Sequence, residues 1–404
     1  MNVESFIIEK LKKASPTIAE YIKQEDERQK ENIELIASEN FPSEAVKLAM
    51  ASSLVAKYTE GYPTNRHSGK TGRYYGGCQI YDEMEEYCCQ VWRQVFNTDY
   101  HVNVQPHSGS NANLAAFMSV LKPGDTFLSM NLNNGGHLTH GSKANFSGKI
   151  YNPVFYNVDD KGFIDYEDIE TKAYLYHPKL ILAGASAYSR IIDFERISKI
   201  AKENEAIFMV DMAHIAGLVA TGEHPSPFEY ADIITTTTQK TLRGPRGGLI
   251  FCKKELSDKI DSSVFPGCQG GPIQNIIAAK SIAAEEAMTD EFKSYIQNVK
   301  RNAKVMANEF VNLGYDVVTG GTDNHLFVID FSKTHPNLTG KQVQDTLDTY
   351  RITVNKNCVP GETRNPTQTS GIRIGTAAMT TKFWTDIDFI STAKKIDSII
   401  KTIE

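Results

Sequence analysis

The amino-acid sequence predicts an α/β fold: a mostly parallel sheet covered by helices on both faces, followed by a smaller α+β unit. Two observations lead there. Short β-branched runs alternate with helix-like stretches from about residue 100 to 285, the rhythm of strand–helix–strand units. After Ser281 the pattern changes to a long helical stretch and then to mixed short strands and helices. Nothing between the two parts resembles a flexible linker.

Element by element, residues 5–30 are polar and helix-forming, with Pro16 as an internal start, and read as an N-terminal arm over 1–30. A large domain over 31–284 should carry strands at Thr126–Met130, Lys149–Phe155, Leu180–Ala183, Ala206–Val210, Ile233–Thr237 and Leu249–Cys252. Asn111–Leu121 and Phe194–Glu203 have helical period. A small α+β domain over 285–404 should open with one helix, Ala284–Leu313. Strand pieces follow at Tyr315–Val318 and His325–Phe331, then a helix near Gly340–Tyr350 and a last helix from about Thr385.

Composition narrows the function. The 404 residues hold 43 Lys+Arg against 49 Asp+Glu, a net charge of −6, so neither nucleic acid nor a membrane surface is an expected partner. No window approaches the ~18–20 apolar residues of a membrane span, and acids interrupt the short apolar stretch at the N-terminus. Six cysteines, Cys88 and Cys89 adjacent, make neither a disulfide framework nor a metal pattern. A reduced, cytoplasmic setting without a bound metal is the expectation.

The chemistry centres on Asp211 and Lys240. Asp211 follows the apolar run Ala206–Val210, at the carboxyl end of a buried strand, where open α/β sheets place ligands. Lys240 follows Thr235-Thr236-Thr237-Thr238-Gln239 and precedes a glycine-rich turn through Gly248. Pyridoxal phosphate needs both: an amine to bond its aldehyde and a carboxylate to keep its pyridine nitrogen protonated. Taken singly, each residue is equally a strand-end Asp or an exposed Lys. Pro106–Asn113, with Ser108, Gly109 and Ser110 before an Ala/Leu-rich helix, would cradle a phosphate on backbone N–H groups and hydroxyls. Alone it is equally a polar helix cap. Its place before Asp211 and Lys240 strengthens the anion reading.

Longer motifs carry a resemblance. Glu39-Asn40, Lys57–Pro63, Arg73–Gly77, Gly135–Gly141, Val210–Gly217, Thr235–Gly248, Val264–Pro272, Gly321–His325 and Ser370–Thr376 closely resemble serine hydroxymethyltransferases, in order, from about residue 30 to the C-terminus. The resemblance implies the three-layer fold-type I architecture of pyridoxal-phosphate transferases. It also implies a homodimer with shared active sites, with further pairing into a tetramer left open. By this resemblance Lys240 bonds the cofactor and Asp211 pairs with its ring nitrogen. His137 stacks over the ring, and His214 and Ser186 face its phenolic oxygen. Ser108, Gly109 and Ser110 hold the phosphate, with Tyr58 and Gly271 arriving from the other subunit. Arg373 grips the substrate carboxylate through its planar fork, completed by Ser38 and Tyr75. Glu60, also from the neighbour, handles the hydroxymethyl proton, and burial beside Tyr74 and Tyr75 should raise its pKa. Leu132, Gly136, Leu138 and Asn357 match folate contacts.

Two departures stand out. The family usually has histidine where this chain has Gln239, and a neutral amide cannot carry imidazole's charge near pH 7. The nine residues Thr64–Gly72 are an insertion between Pro63 and Arg73, reading as a surface loop over the pocket. The expected activity is serine/glycine hydroxymethyl transfer with pyridoxal phosphate and tetrahydrofolate. The departures leave two alternatives: an α-methylserine hydroxymethyltransferase, or a folate-independent β-hydroxy-amino-acid aldolase or transaldolase.

Overall fold

The computed structural model describes residues 3–63 and 72–403. Its strands, in chain order, are β1 (Ile33–Glu34), β2 (His101–Asn103), β3 (Thr126–Met130), β4 (Asn152–Tyr156), β5 (Leu180–Ala183), β6 (Ile207–Asp211) and β7 (Ile233–Thr237). They continue with β8 (Gly248–Cys252), β9 (Asp316–Val317), β10 (Leu326–Asp330), β11 (Ile352–Thr353), β12 (Asn355–Asn357) and β13 (Gly371–Gly375). The large sheet runs β2-β8-β7-β6-β5-β3-β4. All pairs from β7 to β4 are parallel, whereas β8 is antiparallel to both β7 and β2. The stretch from Thr238 to Gly247 is too short to hold a crossover helix, so the chain has to turn back. Two reversals cancel, and β2 points the same way as β7. The carboxyl ends of β2, β3, β5, β6 and β7 therefore open at one edge.

Both faces of this sheet are covered, as the strand–helix rhythm implies. Along β5, Leu180 and Leu182 join one buried cluster with Ala112, Phe117 and Ile260, while Ile181 and Ala183 join another with Trp92, Ile197 and Ile277. That is the period-2 alternation of a strand buried on both sides. The chain is α/β in three layers.

The second sheet is antiparallel, in the order β12-β13-β10-β9, and β1 pairs with β11 separately. Its core gathers Phe310, Phe327, Ile329, Ile372, Ile374, Phe389 and Ile396, and also takes Leu35 from near the N-terminus. Helix Asp290–Asn312 serves both cores, Phe292 to Val299 packing in the large one and Met306 to Phe310 in the small one. The arm forms two helices, Val3–Ala14 and Pro16–Glu31, the second capped by the Ser15 hydroxyl.

Two expected elements differ. Lys149–Phe155 divides into a helix, Phe146–Ile150, and β4, because Asn145 caps the helix by accepting from Ser147 N–H. Ala284–Leu313 is two helices, Gln274–Ala287 and Asp290–Asn312, the second started by the Thr289 hydroxyl accepting from Phe292 N–H. Among the described residues no helix is long and apolar enough to cross a membrane. Of the insertion, residues 64–71 lie outside the described residues.

Candidate active site

The shared strand edge opens on a cavity of about 620 Å³. Asp211 ends β6, in register with Thr235 of β7, and Lys240 follows β7 within one turn. His137 comes from the loop after β3, Ser186 from the loop after β5, and His214 from the loop after β6. Ser108 to Ser110 follow β2. Arg373 arrives from β13, opposite Val328 on one side and Asn355 on the other. All of them line the cavity, as do Ser38, Leu132, Gly136, Leu138 and Asn357.

Asp211 is held by a fixed set of donors. Its Oδ2 accepts from Asn113 Nδ2 at 2.9 Å and lies 3.1 Å from His140 Nε2; its Oδ1 accepts from Ala213 N–H at 3.1 Å. Burial pushes this carboxyl up, but the hydrogen bonds from His140 and Asn113 outweigh it. Its pKa sits well below the usual carboxylate range. Asn113 also ties this base to the imidazole: its second N–H reaches Thr139 Oγ1 at 2.8 Å, and that hydroxyl lies 2.7 Å from His137 Nδ1. Thr139 N–H donates to the same Nδ1 at 3.2 Å, so His137 carries its proton on Nε2. Burial, helped by His140, lowers the His137 pKa to about 4, and the ring is neutral at pH 7.

Across the cavity, Lys240 Nζ donates to Thr237 Oγ1 at 3.2 Å. Burial lowers its pKa to about 8; Asp211 resists the fall, and Arg373 and Arg246 add to it. Arg373 donates from Nη1 to the Ser186 carbonyl at 2.6 Å and from Nε to Asn355 Oδ1 at 3.1 Å. Burial brings its pKa down to about 10 against the opposing charge of Glu39, so it is a cation. His214 Nδ1 lies 3.2 Å from His325 Nε2, and burial keeps both rings neutral. Such a pocket, lined by cations with one deep carboxylate, suits an anionic ligand with a basic ring nitrogen.

The serine hydroxymethyltransferase family model matches residues 11–396. The chain belongs to that family. It is an enzyme of the pyridoxal-phosphate-dependent transferase type, in fold-type I. The site fits the cofactor on its own geometry. A Cβ at Gly109 would come 2.6 Å from Thr237 Cγ2. Glycine lets the helix start, with its free N–H groups, pack closely against the end of β7 beside the cavity, where an anion would meet them. The Ser108 hydroxyl already caps that helix through Asn111 N–H. A permanently ionised Asp211 suits a protonated pyridine, and an amine with a pKa near 8 is a ready partner for an aldehyde.

The remaining residues assigned through serine hydroxymethyltransferases stand apart. Tyr58, Glu60, Tyr75 and Gly271 do not line the cavity of their own chain. They sit together instead: Tyr58 and Tyr75 have ring centroids 5.4 Å apart, and a Cβ at Gly271 would lie 3.7 Å from both Glu60 Cγ and Tyr58 Cδ1. Glu60, expected to be buried, is half-buried here, and Tyr74 and Tyr75 are exposed. Arg73 fixes its backbone, donating to the Thr59 and Gly61 carbonyls at 2.7 and 2.8 Å while paired with Asp82 and Glu85.

Sequence reasoning missed Asn113, His140 and His325. All three lay inside motifs quoted for other residues, and nothing local marks them, because the partner of each lies far along the chain. His137, His140 and Asp211 bring their ligand atoms within 4.8 Å of one another. Yet His140 has both nitrogens engaged, Nδ1 accepting from His137 N–H at 3.2 Å and Nε2 facing Asp211. That leaves it no lone pair for a metal ion.

Proposed function

We propose that this protein moves a one-carbon unit between serine and tetrahydrofolate, working as a homodimer in the cytoplasm. The observation that carries the reading is the convergence of Lys240, Asp211 and Arg373 on one cavity. Bound there, pyridoxal phosphate supplies a sink for the electron pair left at Cα when the Cα–Cβ bond of serine breaks. Lys240 would hold the cofactor through its aldehyde, its amine being about half neutral at pH 8. Asp211, held by Asn113 and His140, would keep the ring nitrogen protonated, and His137 would cover the ring. Ser186 and His214 border its phenolic oxygen.

Arg373, with Ser38, takes the serine carboxylate and so sets which Cα bond faces the electron sink. Ser108, Gly109 and Ser110 take the phosphate. Tyr58, Glu60, Tyr75 and Gly271 of a second copy complete the site, which accords with their grouping away from their own cavity. Glu60 then removes the hydroxyl proton as the one-carbon unit leaves. Exposed Tyr58, Tyr74, Ile80 and Tyr87 mark the face available to that copy. Leu132 and Leu138, partly exposed at the cavity, offer apolar contacts for folate beside Gly136 and Asn357.

Gln239 supports a second reading, because it lines this cavity where the family usually has histidine. On that reading the substrate is α-methylserine, or a longer β-hydroxy amino acid cleaved without folate. Steady-state turnover of serine, α-methylserine and threonine, each with and without tetrahydrofolate, separates the cases. Folate-dependent serine turnover is expected. Cleavage of threonine at an equal rate without folate would overturn the leading reading.

A further inference from the structure

Lys280 is buried to 1 % exposure in helix Gln274–Ala287 and takes no part in the chemistry above. Its ammonium lies behind the phosphate cradle. Nζ donates to the carbonyls of Val104 at 2.7 Å, Pro106 at 3.1 Å and Gly248 at 2.8 Å. Val104 and Pro106 bracket the turn that leads from β2 into Ser108, and Gly248 opens β8. Gly248 N–H donates to the same Pro106 carbonyl at 3.1 Å, and a Cβ at Gly248 would come 2.3 Å from the Ser108 carbonyl. One side chain thus ties together the two backbone segments that set where Ser108 stands.

Three carbonyls need three N–H donors. An ammonium provides them; a neutral amine has two, and would turn its lone pair toward an oxygen. Among the described residues no carboxylate hydrogen-bonds to it, and the carbonyl cage, helped by the nearby Glu85 charge, compensates the buried ammonium. Burial lowers its pKa to about 8, which leaves it mostly charged at pH 7. Gly247 makes room for it, since a Cβ there would lie 2.3 Å from Lys280 Cε and 3.0 Å from Nζ.

We infer that Lys280 is a positioning residue for phosphate recognition, its ammonium fixing the Val104–Ser108 turn so that the helix start at Gly109 faces the anion. This rests on the proposal that Ser108 to Ser110 take the cofactor phosphate. Phosphate recognition is read as the ratio of pyridoxal phosphate to pyridoxal affinity, titrated into the full-length protein stripped of cofactor. Two variants displace the ammonium by different routes: Lys280→Met removes it, and Gly247→Ala pushes it aside with a methyl group.

In both variants the ratio should fall by roughly tenfold or more, the scale of one charged hydrogen bond, with pyridoxal affinity unchanged. A general loss of order would weaken both ligands together. If Lys280→Met does not fold, Gly247→Ala decides. A parental ratio in a folded variant overturns the inference, as does failure of both variants to fold, which would make the role one of stability alone. If the parent itself shows no preference for pyridoxal phosphate, the phosphate assignment of Ser108 to Ser110 fails instead.

Discussion

His140 presents Nε2 to Asp211 across 3.1 Å, and because its Nδ1 accepts a backbone N–H, the proton between them belongs to the histidine. Asp211 is therefore an acceptor only, ionised against its burial. Asp211→Asn keeps the shape but sets an amide against His140 and Asn113. kcat should fall by about 10²–10³-fold, the scale for removing one preorganised electrostatic partner. Circular dichroism should show the parental fold. Turnover near the parental rate would remove Asp211 from the ring-nitrogen role.

Lys240 gives a pH prediction whose sign follows from its burial. Its folded pKa, about 8, lies below the ordinary 10.5, so folding penalises the charged form below pH 8 and the penalty fades as pH rises from 8 to 10.5. Covalent capture of pyridoxal phosphate needs the neutral amine, so its rate should rise with pH and level off above about 8. Arg373 depresses this pKa and Asp211 supports it. Arg373→Ala should move the midpoint up, and Asp211→Asn should move it down. The growth of near-visible absorbance on adding cofactor measures both. Movement in the opposite directions would show that those charges do not act on the amine.

The residues proposed to bond to the cofactor stand out in the sequence because the fold writes them at strand ends, where an acid or an amine after an apolar run is conspicuous. Asp211 and Lys240 are such positions. Asn113 and His140 do not stand out, since their partner lies far along the chain and only the gathering of the ends of β2, β3 and β6 at one edge brings them together. Both helix breaks were missed: the Thr289 cap before Asp290 and Glu291 lies inside a run of helix-forming charges, and the capping of Phe146–Ile150 by Asn145 is hidden under a strand-like run. The antiparallel β8 was implicit in the short link from β7, which no crossover helix could fit.

Arg373 divides its guanidinium between the protein and the cavity. Nη1 and Nε anchor it to Ser186 and Asn355, fixing the plane in which the remaining N–H groups face the ligand. Lysine can supply a charge there but not two parallel donors on an anchored plane. Arg373→Lys should raise KM for serine by roughly ten- to a hundredfold, as losing a charged hydrogen bond does, with a smaller effect on kcat. A change confined to kcat would show that the carboxylate is bound elsewhere.

Gln239 tests whether the cavity's departure from its family matters to catalysis. Its Oε1 accepts from Gly247 N–H at 3.4 Å, a long bond that imposes little on either partner. Gln239→His replaces that acceptor with a ring whose ordinary pKa is about 6.5, one residue from Lys240. A protonated imidazole there adds a second positive charge and should lower the Lys240 pKa below about 8 under mildly acid conditions. The pH profile of serine turnover should then gain a limb near 6.5 that the parent lacks. If Gln239 also selects the substrate, the kcat/KM ratio of serine to α-methylserine should move by about tenfold, a difference of ~1.4 kcal/mol in transition-state binding. A new limb with an unmoved ratio assigns Gln239 to proton handling. Neither change would make the amide a neutral replacement at the mouth of the lysine.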